Sequence, residues 1–187
     1  MRIIGGRFKG KKISFLNNNT TRPLRDLVKE NIFNLIEHSN KVQINLTQST
    51  VLDLFSGVGS FGLECISRSA KKVVFVERDN LAFSILKKNI NDLLVKNQTE
   101  SFFLDIENFL GKLKPKNEYD IIFLDPPYKN SSNASILELI KKTKIFKDPH
   151  LVIIHKEYSD TENFENLLKI IFIKSYGRSK IVFGSFI

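Results

Sequence analysis

The chain has 187 residues, a mass of 21.5 kDa and a formal net charge of +9, a size that suits one domain or one domain with a small appendage. No apolar run approaches the roughly 20 residues of a membrane-spanning helix, and no secretory signal is visible at the start. The single cysteine excludes an internal disulfide and the three histidines lack metal-ligand spacing, so we expect a cytoplasmic protein without a membrane anchor or a metal.

Positive charge is concentrated in the first 30 residues. Eight basic side chains stand there against two acidic ones, which accounts for +6 of the total +9. Such a concentration indicates a polyanionic partner, although a solvated arm that maintains solubility would have the same composition. The candidate contact residues are Arg2, Arg7, Lys9, Lys11, Lys12 and Arg25.

Hydrophobic periodicity predicts the secondary structure. Residues 1–16 alternate apolar and basic side chains around glycines, which predicts a small β-hairpin or meander, and a helix follows over about 23–36. We therefore expect a basic extension over 1–40 and a main domain over 41–187. In the main domain the predicted strands are 50–55, 73–77, 100–104, 120–124, 151–155, 170–176 and 180–186. The predicted helices are 62–69, 80–94, 109–113, 135–144 and 163–169.

Strands and helices alternate along most of the main domain. This order predicts an α/β fold, a mostly parallel sheet with helices on both faces. The last two predicted strands are separated only by Gly177, Arg178 and Ser179, so we expect them to form an antiparallel hairpin.

A glycine-rich turn follows the first strand of the main domain. Gly57, Gly59 and Gly62 give the spacing G-x-G-x-x-G, which permits a tight turn and close approach of a ligand to the backbone. Glu77 ends the next strand, 20 residues after Gly57, where a carboxylate can bind ribose hydroxyls. These features suit an NAD enzyme and a methyltransferase equally well.

Two further acids distinguish these alternatives. Asp53 precedes the glycines, where it would repel a pyrophosphate but suits a cationic amino acid group. Asp105 ends the third strand and can accept from an adenine amino group, with Ile106 against the ring. S-adenosylmethionine is cationic and lacks phosphate, so it fits this set better than a dinucleotide does. Each acid alone could instead be a helix cap.

The apolar run 121–124 leads directly into Asp125-Pro126-Pro127-Tyr128. The run predicts a strand buried on both faces, and the prolines end it. The Asp125 carboxylate and the Pro126 carbonyl only accept hydrogen bonds, so together they can bind both hydrogens of a nucleobase amino group while Tyr128 stacks on the base. This tetrapeptide is that of the amino-methyltransferases. The alternative is a strand-terminal turn with a buried tyrosine.

Several segments together resemble the RsmD-type bacterial small-subunit ribosomal RNA guanine-N2 methyltransferases. They are Arg2-Ile-Ile-Gly-Gly-Arg7, Arg22-Pro23 with Asp26, Glu30-Asn-Ile-Phe-Asn34, Asp53-Leu-Phe-Ser-Gly-Val-Gly59, Phe75-Val-Glu77 and Phe123-Leu-Asp-Pro-Pro-Tyr128. The resemblance covers nearly the whole chain in order. It implies a class I S-adenosylmethionine-dependent methyltransferase, Rossmann-like with seven strands, whose basic N-terminal extension binds RNA. The implied substrate is one guanine of 16S rRNA in a partly assembled small subunit, and nothing requires more than a monomer.

The resemblance also implies the roles of individual residues. The implied catalytic residues are Asp125, Pro126 and Tyr128. The implied cofactor-binding residues are Arg22, Asp53, Phe55, Ser56, Gly57, Gly59, Glu77, Asp105 and Ile106. The chain departs from the family pattern at Leu24, commonly threonine, and at Lys29, commonly arginine; lysine lacks the bidentate fork for a carboxylate or phosphate.

Three other functions stay open at this point. An adenine-N6 or cytosine-N4 methyltransferase uses the same kind of tetrapeptide, and only the N-terminal segments argue against it. A non-catalytic RNA-binding assembly factor on the same fold would bind no methyl donor. An NAD oxidoreductase fits least well because of Asp53.

Overall fold

The computed structural model describes residues 1–16, 24–116, 118–127 and 133–187. Within these residues seven strands form one sheet in the order β3-β2-β1-β4-β5-β7-β6. The strands are β1 Thr50–Leu54, β2 Lys72–Glu77, β3 Thr99–Phe103, β4 Tyr119–Leu124, β5 Phe146–Glu157, β6 Leu168–Tyr176 and β7 Ser179–Phe186. The α-helices are α1 Asp26–His38, α2 Ser60–Ser67, α3 Asn80–Asp92, α4 Ile106–Lys112 and α5 Asn133–Thr143. None of the described helices is long and apolar enough to cross a membrane.

The strand directions confirm the predicted class I fold. Strands β1 to β5 are parallel, and β7 lies antiparallel between β5 and β6. Strands β1 and β4 are central neighbours, and Leu54 pairs with Leu124. The segments that follow these two strands therefore leave the sheet side by side at its carboxyl edge, which is where open α/β sheets bind ligands.

The apolar run of β4 contributes to a core on each face of the sheet. Ile121 and Phe123 pack in the core with α1, α2 and α3, whereas Ile122 and Leu124 pack in the core with α4 and α5. All four side chains are at most 2% exposed. The expected strand buried on both faces is thus present, because successive side chains point to opposite faces.

The predicted helix over 163–169 is wrong. Within the described residues 133–187 no helix follows β5, and β6 begins at Leu168, which pairs with Phe186 of β7. Phe164 and Leu168 have the i, i+4 spacing of a helical face, but both pack in the sheet core while a turn joins them. Pairing with β7 prevails over the local helical pattern, since tertiary contacts commonly override local propensity.

The first 16 residues form less regular structure than the predicted hairpin. One antiparallel bridge joins Arg2 to Lys12, and a 3-10 turn over Gly6–Phe8 lies between them. The side chains of Ile3 and Ile13 enter the core that contains α1 to α3. The basic extension is therefore packed onto the sheet domain through its apolar residues.

A buried carboxylate connects this extension to α2. Glu64 is fully buried and accepts from Ile4 N at 2.8 Å, Gly5 N at 2.7 Å and Arg68 Nε at 2.9 Å. Lys29 Nζ lies 3.5 Å from the same carboxylate. Lys29 therefore contacts a carboxylate although it lacks the bidentate fork of arginine. That carboxylate is Glu64, inside the protein.

Candidate active site

A cavity of about 410 Å³ opens at the carboxyl edge of the sheet, where β1, β2 and β4 end. The N-terminal extension supplies part of the lining. Seven of the residues predicted from the sequence line this cavity: Asp53, Phe55, Ser56, Gly57, Glu77, Asp125 and Pro126. The structure thus gathers residues from three separate strand ends into one site.

Asp53 is the most deeply buried acid of the cavity. Its side chain sits inside the end of β1, with the residue 1% exposed, and Oδ2 accepts from Gly62 N at 2.9 Å. Burial raises the pKa of this carboxyl well above its ordinary value, and the nearby Asp125 and Glu77 raise it further. A cation placed in the cavity would restore the ionised form, so this acid favours a positively charged ligand.

Glu77 is held in a fixed orientation by two backbone amides. Its Oε2 accepts from Gly57 N at 2.7 Å and its Oε1 accepts from Asp79 N at 2.7 Å. Each carboxylate oxygen keeps further acceptor capacity, which suits a pair of ribose hydroxyls. The same contacts fix the glycine-rich turn to the end of β2.

Two residues of the glycine-rich turn have a positive φ angle, which residues with a Cβ atom rarely adopt. Phe55 has φ 58° and Gly57 has φ 53°. A left-handed residue other than glycine costs free energy and is concentrated at functional sites. The turn brings Ser56 under the end of β2, where its N–H and hydroxyl both donate to Val76 O.

Asp125 follows β4 directly and is tied to a histidine. Its Oδ1 lies 2.7 Å from His155 Nδ1, and His155 Nε2 lies 3.0 Å from Ser179 Oγ. Asp125 N donates to Leu54 O across a long 3.5 Å contact. Pro126 is buried beside Asp125, so the two predicted acceptors occupy the same wall of the cavity.

Apolar groups form the remaining walls. Phe61 of α2 stacks on Phe123 of β4, with ring centroids 3.9 Å apart and 17° between the planes. The extension contributes Met1, Phe15, Leu16 and Leu24. Leu24, one of the two departures from the family pattern, is therefore an apolar wall residue.

Three predicted cofactor residues lie away from the cavity lining. Gly59 is left-handed at the start of α2, and a Cβ there would meet the Leu86 side chain at 2.5 Å, so its observed role is close packing. Asp105 caps α4 by accepting from Asn108 N at 2.8 Å, and this contact lowers the pKa of its carboxyl. Ile106 is 3% exposed in the core with α4 and α5.

Two predicted site residues, Arg22 and Tyr128, lie outside the described residues. Among the residues that are described, no group of three or more histidine, cysteine or acidic side chains has an arrangement that could hold a metal ion.

Sequence reasoning missed His155, Phe61 and Glu64. His155 ends the predicted strand 151–155, but its place beside Asp125 follows from the register that pairs Leu124 with Ile154, which the sequence does not show. Phe61 lies in the glycine-rich turn motif, where an aromatic side chain was a usable signal for a cavity wall. Glu64 gave no signal, since an acid on a helix is usually solvated.

Comparisons with known proteins show the family of this chain. The family model described as Conserved hypothetical protein 95 matches residues 1–185. Ribosomal RNA small subunit methyltransferase D of Haemophilus influenzae is 34% identical over 158 residues, which are 84% of this chain and 79% of that protein. Putative rRNA methyltransferase YlbH of Bacillus subtilis is 32% identical over 154 residues, 82% of this chain and 80% of that protein.

Solved structures show the same fold. A putative methyltransferase of Escherichia coli superposes with a TM-score of 0.84 at 24% identity, over 100% of this chain and 97% of that one. A putative methylase of Haemophilus influenzae superposes with a TM-score of 0.79 at 28% identity, over 100% of this chain and 98% of that one. The chain therefore belongs to the family described as Conserved hypothetical protein 95, and the resemblance to the RsmD-type methyltransferases is confirmed.

Proposed function

We propose that this protein transfers a methyl group from S-adenosylmethionine to the exocyclic N2 amino group of a guanine in 16S rRNA, within a partly assembled small subunit in the cytoplasm. One observation carries the proposal. The acceptor pair Asp125 and Pro126 shares a cavity with the buried acid Asp53 and the oriented acid Glu77. The name of the Haemophilus influenzae relative, Ribosomal RNA small subunit methyltransferase D, supplies the substrate class.

The residues of the cavity fit the proposed donor. Asp53 is buried and its pKa is raised. Among the described residues it accepts a hydrogen bond from Gly62 N and has no cationic hydrogen-bond partner. The α-ammonium group of S-adenosylmethionine carries a positive charge that this carboxyl favours, and Glu77 suits the ribose. A pyrophosphate would meet four acidic side chains and only one basic side chain, Arg78, in the lining, and would be repelled; the acids are Asp53, Glu77, Asp79 and Asp125. When bound, the donor supplies a methyl group on a sulfonium, which is already a good electrophile.

The chain contributes positioning and proton acceptance. Asp125 and the Pro126 carbonyl accept the two hydrogens of the amino group, which directs the nitrogen lone pair away from them and toward the donor. Once the nitrogen has gained a methyl group and a positive charge, Asp125 accepts the proton that it loses. Holding reactants in near-attack geometry supplies most of the rate in such a reaction.

Transfer of labelled methyl groups to small-subunit particles from cells that lack this protein tests the proposal. We expect label in 16S rRNA, recovered after digestion as N2-methylguanosine by mass analysis. Recovery of N6-methyladenosine or N4-methylcytidine would show that the protein is a methyltransferase whose target base is adenine or cytosine instead of guanine. Absence of both label and donor binding would leave an RNA-binding assembly factor as the function.

Replacing Asp53 with asparagine is expected to weaken donor binding by about 10- to 100-fold, the size of one charge-assisted hydrogen bond. In the wild type the raised pKa of Asp53 means that a cationic ligand must displace a proton, so affinity should increase as pH rises from the ordinary value of 3.8 toward the raised one. Calorimetry in buffers of different ionisation enthalpy measures this proton release.

The asparagine variant should bind the donor without that proton release. Asp79→Asn is the matched control, since Asp79 lies in the same cavity wall but caps α3, a role that asparagine also fills. An affinity of the wild type that does not change with pH would contradict the assignment of Asp53.

The basic extension provides the proposed RNA contacts. All six predicted residues are exposed in the structure, while Ile3 and Ile13 between them are buried. Deleting the extension would therefore expose core and remove a cavity wall. Substitutions that neutralise charge test RNA binding without that damage.

Changing Lys9, Lys11 and Lys12 to serine is expected to weaken RNA binding and to reduce the salt slope of log K by about 2, because each single-stranded phosphate contact contributes about 0.7. Donor affinity should stay unchanged. The matched control changes three lysines near the far end of α5, Lys141, Lys142 and Lys144, and removes the same charge. Equal slopes for the two variants would place the RNA surface elsewhere.

A further inference from the structure

His155 lies at the carboxyl end of the sheet beside Asp125. In the parallel register of β4 and β5, Leu124 pairs with Ile154, so residues 125 and 155 occupy equivalent places on neighbouring strands. The His155 side chain is only 5% exposed, and its Nδ1 is 2.7 Å from Asp125 Oδ1. Such a short buried contact fixes both side chains relative to the sheet.

The second ring nitrogen is also engaged. Nε2 lies 3.0 Å from the hydroxyl of Ser179, at the start of β7. A carboxylate only accepts, so Nδ1 carries a proton and donates to Asp125; in the tautomer protonated only at Nδ1, Nε2 accepts from the Ser179 hydroxyl. The imidazole is thereby held by partners on two strands, β4 and β7.

Asp125 needs such a support. It follows the last residue of β4, its N–H makes only the long 3.5 Å contact with Leu54 O, and its side chain is 23% exposed. It also lies close enough to Asp53 for the two carboxyls to repel each other. Without the hydrogen bond from His155 Nδ1, the Asp125 carboxylate would be free to rotate away from Asp53 and toward water.

We propose that His155 is a positioning residue for the methyl-transfer reaction, a role that rests on the proposed function. Its Nδ1–H holds Asp125 Oδ1, which leaves Oδ2 to accept from the amino group of the target base. Ser179 keeps the imidazole in the tautomer that this task requires. His155 itself does not touch the substrate.

Replacing His155 with leucine, of similar volume, is expected to lower kcat by about 10- to 100-fold, since a displacement of about 1 Å in a reacting geometry costs about 100-fold. The Kd for S-adenosylmethionine and the KM for RNA should change by less than about threefold, because Oδ1 is not used for binding. His155→Asn places an amide N–H near the position of Nδ1, so it should recover most of the rate.

The chain offers a matched control on the same strand. His150 lies at the other end of β5, is 8% exposed and accepts from Phe186 N at 2.9 Å. His150→Leu therefore removes a buried, hydrogen-bonded histidine far from Asp125. We expect it to lower the unfolding midpoint but to leave kcat unchanged.

A double-mutant cycle separates positioning from a merely structural role. If His155 acts through Asp125, His155→Leu should have no further effect on single-turnover rate in an Asp125→Ala background. An equal loss in both backgrounds, or a wild-type kcat for His155→Leu, would overturn the proposal. Should the leucine variant fail to fold, Ser179→Ala decides, with an expected loss of about threefold to tenfold; a wild-type kcat for that variant overturns the proposal equally.

The same experiment distinguishes this proposal from the proposed function. If the wild-type protein transfers no methyl group to small-subunit particles, both the proposed function and the role of His155 are contradicted. If the wild-type protein is active and the His155→Leu variant has the same kcat, only the role of His155 is contradicted.

Discussion

Asp125→Ala is expected to lower the rate of methyl transfer by about 100- to 10,000-fold, the range that a positioned proton acceptor contributes. The alanine variant loses the acceptor for one amino hydrogen and the group that takes the proton after transfer. Donor affinity should change by less than about threefold, because Asp53 and Glu77, not Asp125, carry the proposed donor contacts. Single-turnover assays with labelled donor measure the rate, and calorimetry measures the affinity.

Asp120→Ala is the control for that variant. Asp120 lies at the other end of the same strand, where Oδ2 accepts from Thr50 N at 2.6 Å and from Lys147 Nζ at 2.7 Å. Its loss should lower stability and leave the rate of transfer unchanged. A wild-type rate for Asp125→Ala would contradict the proposed mechanism, and an equal loss of rate in both variants would show that general destabilisation is responsible.

The parallel part of the fold could be predicted because its signals are local. The unbroken apolar run 121–124 and the glycines after residue 55 each indicate an element and its end without reference to the rest of the chain. The helix predicted at 163–169 failed because Phe164 and Leu168 show a helical spacing that β7 overrides. The predicted N-terminal hairpin or meander is present as one antiparallel bridge between Arg2 and Lys12, and Ile3 and Ile13 pack in the core beside it.

The candidate site was predicted only where one segment contains the whole signal. Asp53 and Asp125 each stand beside a recognisable strand end, and both line the cavity. His155 and Phe61 acquire their roles from side chains far away in sequence, at Asp125 and Phe123. Such pairings depend on register and packing, which composition and spacing do not encode.

Glu64→Gln is expected to lower the free energy of unfolding by about 3–5 kcal/mol, the usual cost of removing one partner from a buried ion pair. The amide cannot neutralise Lys29, which is fully buried, and its NH₂ takes the place of one of the two oxygens, so it faces either the Ile4 N–H or the Gly5 N–H, both of which are donors. Urea unfolding monitored by circular dichroism measures the loss. Because the extension also forms a cavity wall, donor affinity should fall in the same variant.

The pH dependence and a second variant identify the cause. Burial lowers the pKa of Lys29 from 10.5, so the unfolded chain binds the extra proton and stability rises with pH below that value. The Glu64 carboxylate raises the pKa of Lys29, so its loss lowers that pKa further, and the variant should regain part of its stability as pH rises toward 10.5. Glu37→Gln is the matched control, because it removes a carboxylate that binds the same Arg68 but is 29% exposed, and should cost less than about 1 kcal/mol. Lys29→Met combined with Glu64→Gln should be more stable than Glu64→Gln alone; if it is not, the uncompensated ammonium is not the source of the loss.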